Sequence, residues 1–155
     1  EQAAGNAVGT ILCDLGTHLD DPVARFERVR NSAGEGKRAL SGLSPLQILA
    51  MSALIVAPLA IAPIPGVVRW TPPPFNVIIS NVPGPPKPLY LNGARLEGVY
   101  PLSIPYDGQA LNITTTSYAG SLEFGLTGCR RSAPHLQRLL THLEDSLSEL
   151  EHALA

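Results

Sequence analysis

Four histidines and two cysteines are the side chains of this sequence best suited to ligate a metal or attack a carbonyl. His135, His142 and His152 sit in the C-terminal stretch, and His135 and His142 are seven residues apart. A metal pair on a helix needs a spacing of three or four, so these read as solvated helix histidines and no metal site is expected. His18 lies in a connecting stretch with no neighbour that marks it as a base. Cys13 and Cys129 each fall in or beside an expected strand, where a small buried thiol is the ordinary outcome. Cys129 precedes Arg130 and Arg131, whose charge would favour a thiolate, so a nucleophile stays an alternative there, as does a disulfide between the two. No Gly-x-Ser-x-Gly elbow, phosphate loop or dinucleotide fingerprint occurs. The residues alone assemble no complete catalytic constellation and imply no cofactor.

Two polar stretches stand out: Ser80-Asn81-Val82-Pro83-Gly84-Pro85 after an apolar run, and Gly108-Gln109-Ala110-Leu111-Asn112-Ile113-Thr114. One reading is a proline-locked turn and an ordinary strand entry. The other is a ligand site, because polar groups at the end of a buried strand in an α/β sheet favour one.

The elements that would position these groups follow from local signals. Asn6–Leu15 reads as a strand, with Gly5 and Gly9 leaving room for another backbone. Asp20-Asp21-Pro22 opens a helix, since aspartate caps free amides and proline fits the first turn. Val23, Phe26 and Val29 follow, and Gly34 and Gly36 weaken the helix by about 1 kcal/mol each before it resumes at 37–40. Ser44-Pro45 opens a second helix that should end near Pro58. Phe75–Ser80 is a short strand whose continuous apolar run suggests burial on both faces. Asn92-Gly93 should turn a hairpin of Leu89–Leu91 and Leu96–Tyr100. Leu111–Tyr118 and Leu122–Leu126 form another around Ala119-Gly120. If Tyr118 pairs with Ser121, then Ile113, Thr115 and Ser117 share a face with Leu126, Phe124 and Leu122. Ser132-Ala133-Pro134 should start a last helix, where Leu136, Leu140, Leu143, Leu147, Leu150 and Leu154 make a stripe that packs on a sheet or pairs in a coiled coil. The order is strand, two helices, five strands, helix: a mixed α/β fold.

Composition bounds the rest. The 155 residues suit one domain or half of a larger one. At 45% hydrophobic and 15% charged, the chain can bury a core and is not disordered. A net charge of −2 without a basic run argues against nucleic acid as a partner. Two cysteines exclude a disulfide scaffold. Twelve of the 15 prolines fall between Pro58 and Pro105, so ordered elements should flank a kinked middle. No signal peptide is visible, and the uncharged stretch Ala39–Val68 is cut by Pro45, Pro58, Pro63 and Pro65. The helical part is too short to span a bilayer, which needs about 20 apolar residues. It reads as a buried or subunit-facing helix, or as one touching lipid. The chain begins at Glu1 and its sole methionine is Met51, so it is expected to be a cleaved product or fragment.

The text from Asn76 to Pro86 resembles the Ser-Asn-Val-Pro-Gly-Pro motif of bacterial wax ester synthase/diacylglycerol acyltransferases. Leu89–Ala94, Gly98–Ser103, Gly108–Thr114, Ser117-Tyr118, Phe124–Leu126, Gly5–Gly9 and Asp21–Arg25 are similar to that family too. The sequence departs from it at Gly34-Glu35-Gly36. The resemblance implies a single C-terminal domain over 1–155, the C-terminal half of a chloramphenicol-acetyltransferase-like two-domain α/β fold, with a mixed sheet and helices packed on it. The family's His-His-x-x-x-Asp-Gly motif lies in the N-terminal half and is absent here. There a histidine would deprotonate a diacylglycerol or long-chain alcohol, whose oxygen attacks a fatty acyl-CoA thioester. The implied partners are that N-terminal catalytic half, the acyl-CoA and its acceptor, with acyl-CoA a substrate and no cofactor required. The implied place is the cytoplasm, with peripheral contact to a membrane or lipid droplets. This chain would supply no catalytic residue. Ser80, Asn81, Gly84, Gly108, Gln109 and Asn112 are the candidates to line the substrate channel. Two alternatives remain: a non-catalytic lipid- or protein-binding module of the same fold, and a peptide-synthetase-like condensation half.

Overall fold

The computed structural model describes residues 9–60, 75–106 and 109–155. The chain divides into two compact units, residues 1–61 with 137–155 and residues 62–136.

The first unit is helical. Helix α1 spans Pro22–Leu40, α2 spans Pro45–Ala60 and α3 spans Arg138–Leu154. Asp21 caps α1 as its sequence predicts: Oδ2 accepts from Ala24 N at 2.9 Å, and Pro22 takes the first turn. The expected interruption at Gly34 and Gly36 does not occur, and α1 continues to Leu40. A Cβ on Gly36 would lie 3.0 Å from the Ile11 side chain, so this glycine admits Ile11 against the helix. Ser44 and Gln47 close a capping box on α2. Ser44 N donates to Gln47 Oε1 at 2.8 Å, and Gln47 N donates to Ser44 Oγ at 3.4 Å. Helix α2 runs past Pro58 to Ala60, because a proline in the last turn forfeits one backbone bond without ending the helix.

Helix α3 starts at Arg138, six residues later than Ser132. Ser132 N and Ala133 N both bond back to Cys129 O, which turns the chain there instead. Its leucine stripe meets α1, with Leu139, Leu143 and Leu150 half-buried and Leu140, Leu147 and Leu154 exposed. The expected strand Asn6–Leu15 is absent where it is described. Residues 9–15 carry no ladder, and 6–8 lie outside the described residues.

The second unit is built on a three-stranded sheet. Strands β1 (Val77–Val82), β4 (Leu111–Tyr118) and β5 (Ser121–Gly128) lie in the order β1-β4-β5, and β2 (Tyr90–Leu91) and β3 (Ala94–Arg95) form a separate hairpin. The β4–β5 register is the expected one: Tyr118 faces Ser121, and Ile113, Thr115 and Ser117 face Leu126, Phe124 and Leu122. Gly120, with φ near +94°, makes that turn. Strand β1 pairs parallel to β4, so the sheet is mixed. It runs to Val82, two residues past its expected end, because β4 continues alongside it. It is not buried on both faces: Ile79 and Val82 are exposed on a strand paired along one side.

Asn92 and Gly93 turn the β2–β3 hairpin, but its second strand is Ala94–Arg95, and the expected strand Leu96–Tyr100 is absent. The backbone beyond it bonds to β4 instead. Leu96 O accepts from Tyr118 Oη at 2.7 Å, and Ile104 O accepts from Asn112 Nδ2 at 3.5 Å. Pro101 crosses directly over Gly125, where any Cβ would overlap the Pro101 carbonyl.

Two glycine substitutions should therefore act in opposite directions. Gly34→Ala, in a helix interior where a Cβ would meet only Arg38 Nη1 at 3.9 Å, should raise stability by about 0.5–1 kcal/mol. Gly125→Ala should lower it by about 1–3 kcal/mol through overpacking. Urea unfolding of both variants in the full-length protein checks the signs.

Candidate functional site

Four of the five buried side chains on β4 are polar. Asn112, Thr114, Thr115 and Thr116 are each at most 8% exposed, and Tyr118, at 3%, is the one buried hydrophobic side chain among the described residues. A buried hydroxyl or amide without a partner costs about 1–3 kcal/mol, so each must be satisfied. The partners it finds decide what lies around the strand.

On one face, Thr114 Oγ1 donates to Asn112 Oδ1 at 3.2 Å. Its single proton is then spent, so the 2.6 Å contact with Ser103 is a bond donated by Ser103 Oγ. Asn112 Nδ2 donates onward to Ile104 O. This chain of bonds holds the segment from Pro101 to Ile104 on the sheet. Thr116 Oγ1 donates to Val82 O at 2.9 Å. Tyr118 Oη donates to Leu96 O and accepts from Leu89 N at 2.9 Å, so one hydroxyl ties both ends of the β2–β3 hairpin.

The opposite face carries Asn81 and Thr115, which are register partners. Thr115 Oγ1 donates to Asn81 Oδ1 at 3.3 Å and lies 3.4 Å from Ser80 O. The hydroxyl has one proton to share between these two acceptors, and with Oδ1 turned to Thr115 the exposed carboxamide points its Nδ2 donor away.

The loop after β1 is locked by the end of β4. Gly84 N donates to Ser117 Oγ at 3.1 Å, and Ala119 N donates to Pro85 O at 3.1 Å. A Cβ on Gly84 would overlap the Ser117 carbonyl oxygen, so only glycine lets the loop approach this closely. With Pro83, Pro85 and Pro86 fixing φ, the loop has little freedom left.

The six residues singled out from sequence are thus divided. Asn81 belongs to strand β1 and not to the loop, and it lies on the face opposite Ser80 and Asn112. Gly84 sits against β4 and presents no side chain. Asn112 is buried, with both polar atoms engaged. Gln109 is buried, with Oε1 accepting from Tyr106 N at 3.4 Å and Nε2 unpartnered among the described residues. Gly108 lies outside the described residues. Thr115, Thr116, Ser103 and Tyr118 were not singled out, and Thr114 was noted only as the end of the Gly108–Thr114 stretch, not as a channel residue. The run of three threonines between Ile113 and Ser117 was the available signal, since such a run in a central strand must bury hydroxyls.

The remaining reactive side chains do not converge. His18, His135, His142 and His152 are all exposed, and no cluster of three or more His, Cys, Asp or Glu that could hold a metal occurs among the described residues. Both cysteines are free thiols. Cys13 is half-buried, and Cys129 is exposed, contrary to the expectation of a buried thiol. Cys129 follows the end of β5 and leads the turn, where the Ser132 amide, the Arg131 amide and the Ser132 hydroxyl hold its thiol below the usual range.

Tyr118→Phe should keep the packed ring while losing two bonds. It should lower the stability of the full-length protein by about 1–3 kcal/mol, read from the urea midpoint at unchanged slope.

Comparison with known proteins agrees with this architecture. The WS/DGAT C-terminal domain family matches residues 4–151. A putative diacylglycerol O-acyltransferase of Mycobacterium bovis is 59% identical over 152 residues, covering 98% of this chain and 34% of the relative. Another putative diacylglycerol O-acyltransferase, of Mycobacterium tuberculosis, is 56% identical over 154 residues and is also covered over 34% of its length. The solved wax ester synthase/diacylglycerol acyltransferase of Marinobacter aquaeolei VT8 superposes with a TM-score of 0.83 at 47% identity, over 94% of this chain and 35% of that one. The chain spans about a third of the length of these relatives, and it belongs to the WS/DGAT C-terminal domain family.

Proposed function

We propose that this chain works as the C-terminal domain of an enzyme that moves a fatty acyl group from acyl-CoA to diacylglycerol or a long-chain alcohol. The names of its relatives support the reaction class. The N-terminal part of the same enzyme supplies the base, because no His-x-x-x-Asp sequence occurs in this chain. The acyl-CoA is a substrate, and the reaction needs no further cofactor. The share of this domain is to line the substrate channel. Helix α2 is uncharged and leaves Leu46, Leu49 and Leu54 exposed, a surface suited to an acyl chain, the N-terminal part or a lipid surface. Among the described residues no helix is long and apolar enough to cross a membrane.

The observation that carries this reading is Asn81 at the carboxyl end of β1. In open α/β sheets, ligands bind beyond the carboxyl ends of the strands. Asn81 is exposed there on a strand end locked by a proline loop, with its Oδ1 within hydrogen-bond reach of Thr115 Oγ1. Its Nδ2 can donate to the acceptor hydroxyl or to the oxygen that gains charge during attack. The alternative is that Asn81 only joins the strands.

The two roles differ in kinetics. In the full-length enzyme, Asn81→Ala should lower kcat by about 10²–10³, the loss seen when one oxyanion donor is removed, with Tm changed by a few degrees at most. Thiol release from palmitoyl-CoA with diacylglycerol or hexadecanol as acceptor measures it. Near-normal turnover per folded molecule with a large fall in Tm would make Asn81 structural. Turnover by this chain alone would contradict the assignment of the base to the N-terminal part.

A further inference from the structure

Residues 9–15 have the sequence of a strand and the path of one, yet lie in no sheet. Ile11 packs at Gly36, and Asp14 reaches Arg28 with a 2.7 Å ion pair, so three residues of this segment pass eight of α1. Eight helical residues advance about 12 Å and three fully extended residues at most about 11 Å, the Arg28 side chain covering the difference. No helix, turn or bend interrupts the segment.

Successive amides of an extended chain point to opposite sides. Those of Thr10 and Asp14 point to the helices, where Thr10 N donates to Ser52 Oγ and Asp14 N to Ser32 Oγ, both at 2.9 Å. Those of Ile11, Cys13 and Leu15 therefore point the other way, and none has a partner among the described residues. The side chains of Ile11 and Cys13 lie against α1, while Leu12 stands 55% exposed above it. The segment runs as an extended chain backed by helices, with the Thr10 and Asp14 amides bonded to serine hydroxyls on one edge and the other edge open among the described residues.

We infer that the open edge of residues 9–15 is a β-addition site for a strand of the enzyme's N-terminal part. This rests on the reading that the chain works within a longer acyltransferase. The relatives extend to about three times its length, so the region that can supply the strand is present in each of them. An unpaired edge beside an exposed leucine is an aggregation hazard, and a neighbouring strand removes it. The link also ties the N-terminal part directly to α1, through main-chain bonds that need no particular side chain.

Hydrogen exchange on the full-length enzyme, read amide by amide by fragmentation mass spectrometry, tests the inference. The amides of Ile11, Cys13 and Leu15 should exchange at least ~100-fold more slowly than in an unstructured peptide. Weaker protection at these three amides overturns it. Protection that disappears when an oligomer is diluted to monomers gives the edge to a second copy and overturns it as well. Acyl transfer by the same sample separates the two readings. Unprotected amides in an active enzyme refute the strand alone, whereas an inactive full-length protein refutes the function.

Discussion

A strand that buries threonines on both faces must find a partner for every hydroxyl, and β4 is such a strand. Asn112, Thr114, Thr115, Thr116 and Tyr118 are buried in succession around Ile113, and no water-facing side remains to solvate them. Each hydroxyl reaches outward to a different piece of chain: Ser103 and Ile104, Asn81, Val82, and the two ends of the β2–β3 hairpin. These contacts come from residues up to 35 positions away along the chain. Apolar packing alone is non-directional and would leave those pieces free to slide. The hydrogen bonds are directional, and they fix the end of β1 and the proline loop in one arrangement.

The apolar surface tells a complementary story. Leu102 and Ile104 are 83% exposed, and Leu46, Leu54 and Leu91 are exposed by three quarters or more. Soluble monomers rarely leave so much apolar surface uncovered, and larger exposed patches mark interaction sites. The chain spans about a third of the length of its relatives, and the proposed N-terminal part would be the surface that covers these residues. The open edge at residues 9–15 belongs to the same economy, with main-chain groups in place of side chains.

Local signals carried the parts of the fold that depend on neighbours in sequence. Asp21 before Pro22 gave the α1 cap, Ser44 with Gln47 the α2 start, and Ala119-Gly120 the register of the β4–β5 hairpin. The Ser-Asn-Val-Pro-Gly-Pro text pointed to the family. What depends on distant partners was not legible. Gly36 looked like a helix breaker because the side chain it makes room for, Ile11, lies 25 residues earlier in sequence. Asn81 looked like a loop residue because β4, which draws it into the sheet, begins 30 residues later. Residues 9–15 looked like an ordinary strand because nothing local says where a ladder partner lies. Tyr118 was overlooked and Thr114 was passed over within its stretch, because threonine and tyrosine also fill plain strand positions.

The central claim is that the bonds of β4 act as a connected set and not as separate contacts. A double-mutant cycle between Ser103→Ala and Thr114→Val in the full-length protein, read from urea unfolding, tests it most directly. The account predicts a coupling energy of about 1 kcal/mol or more, because both substitutions remove the Ser103–Thr114 bond and Thr114→Val also frees Ser103 Oγ and Asn112 Oδ1. Effects that add within about 0.3 kcal/mol would contradict it and would reduce the polar strand to a row of independent hydroxyls.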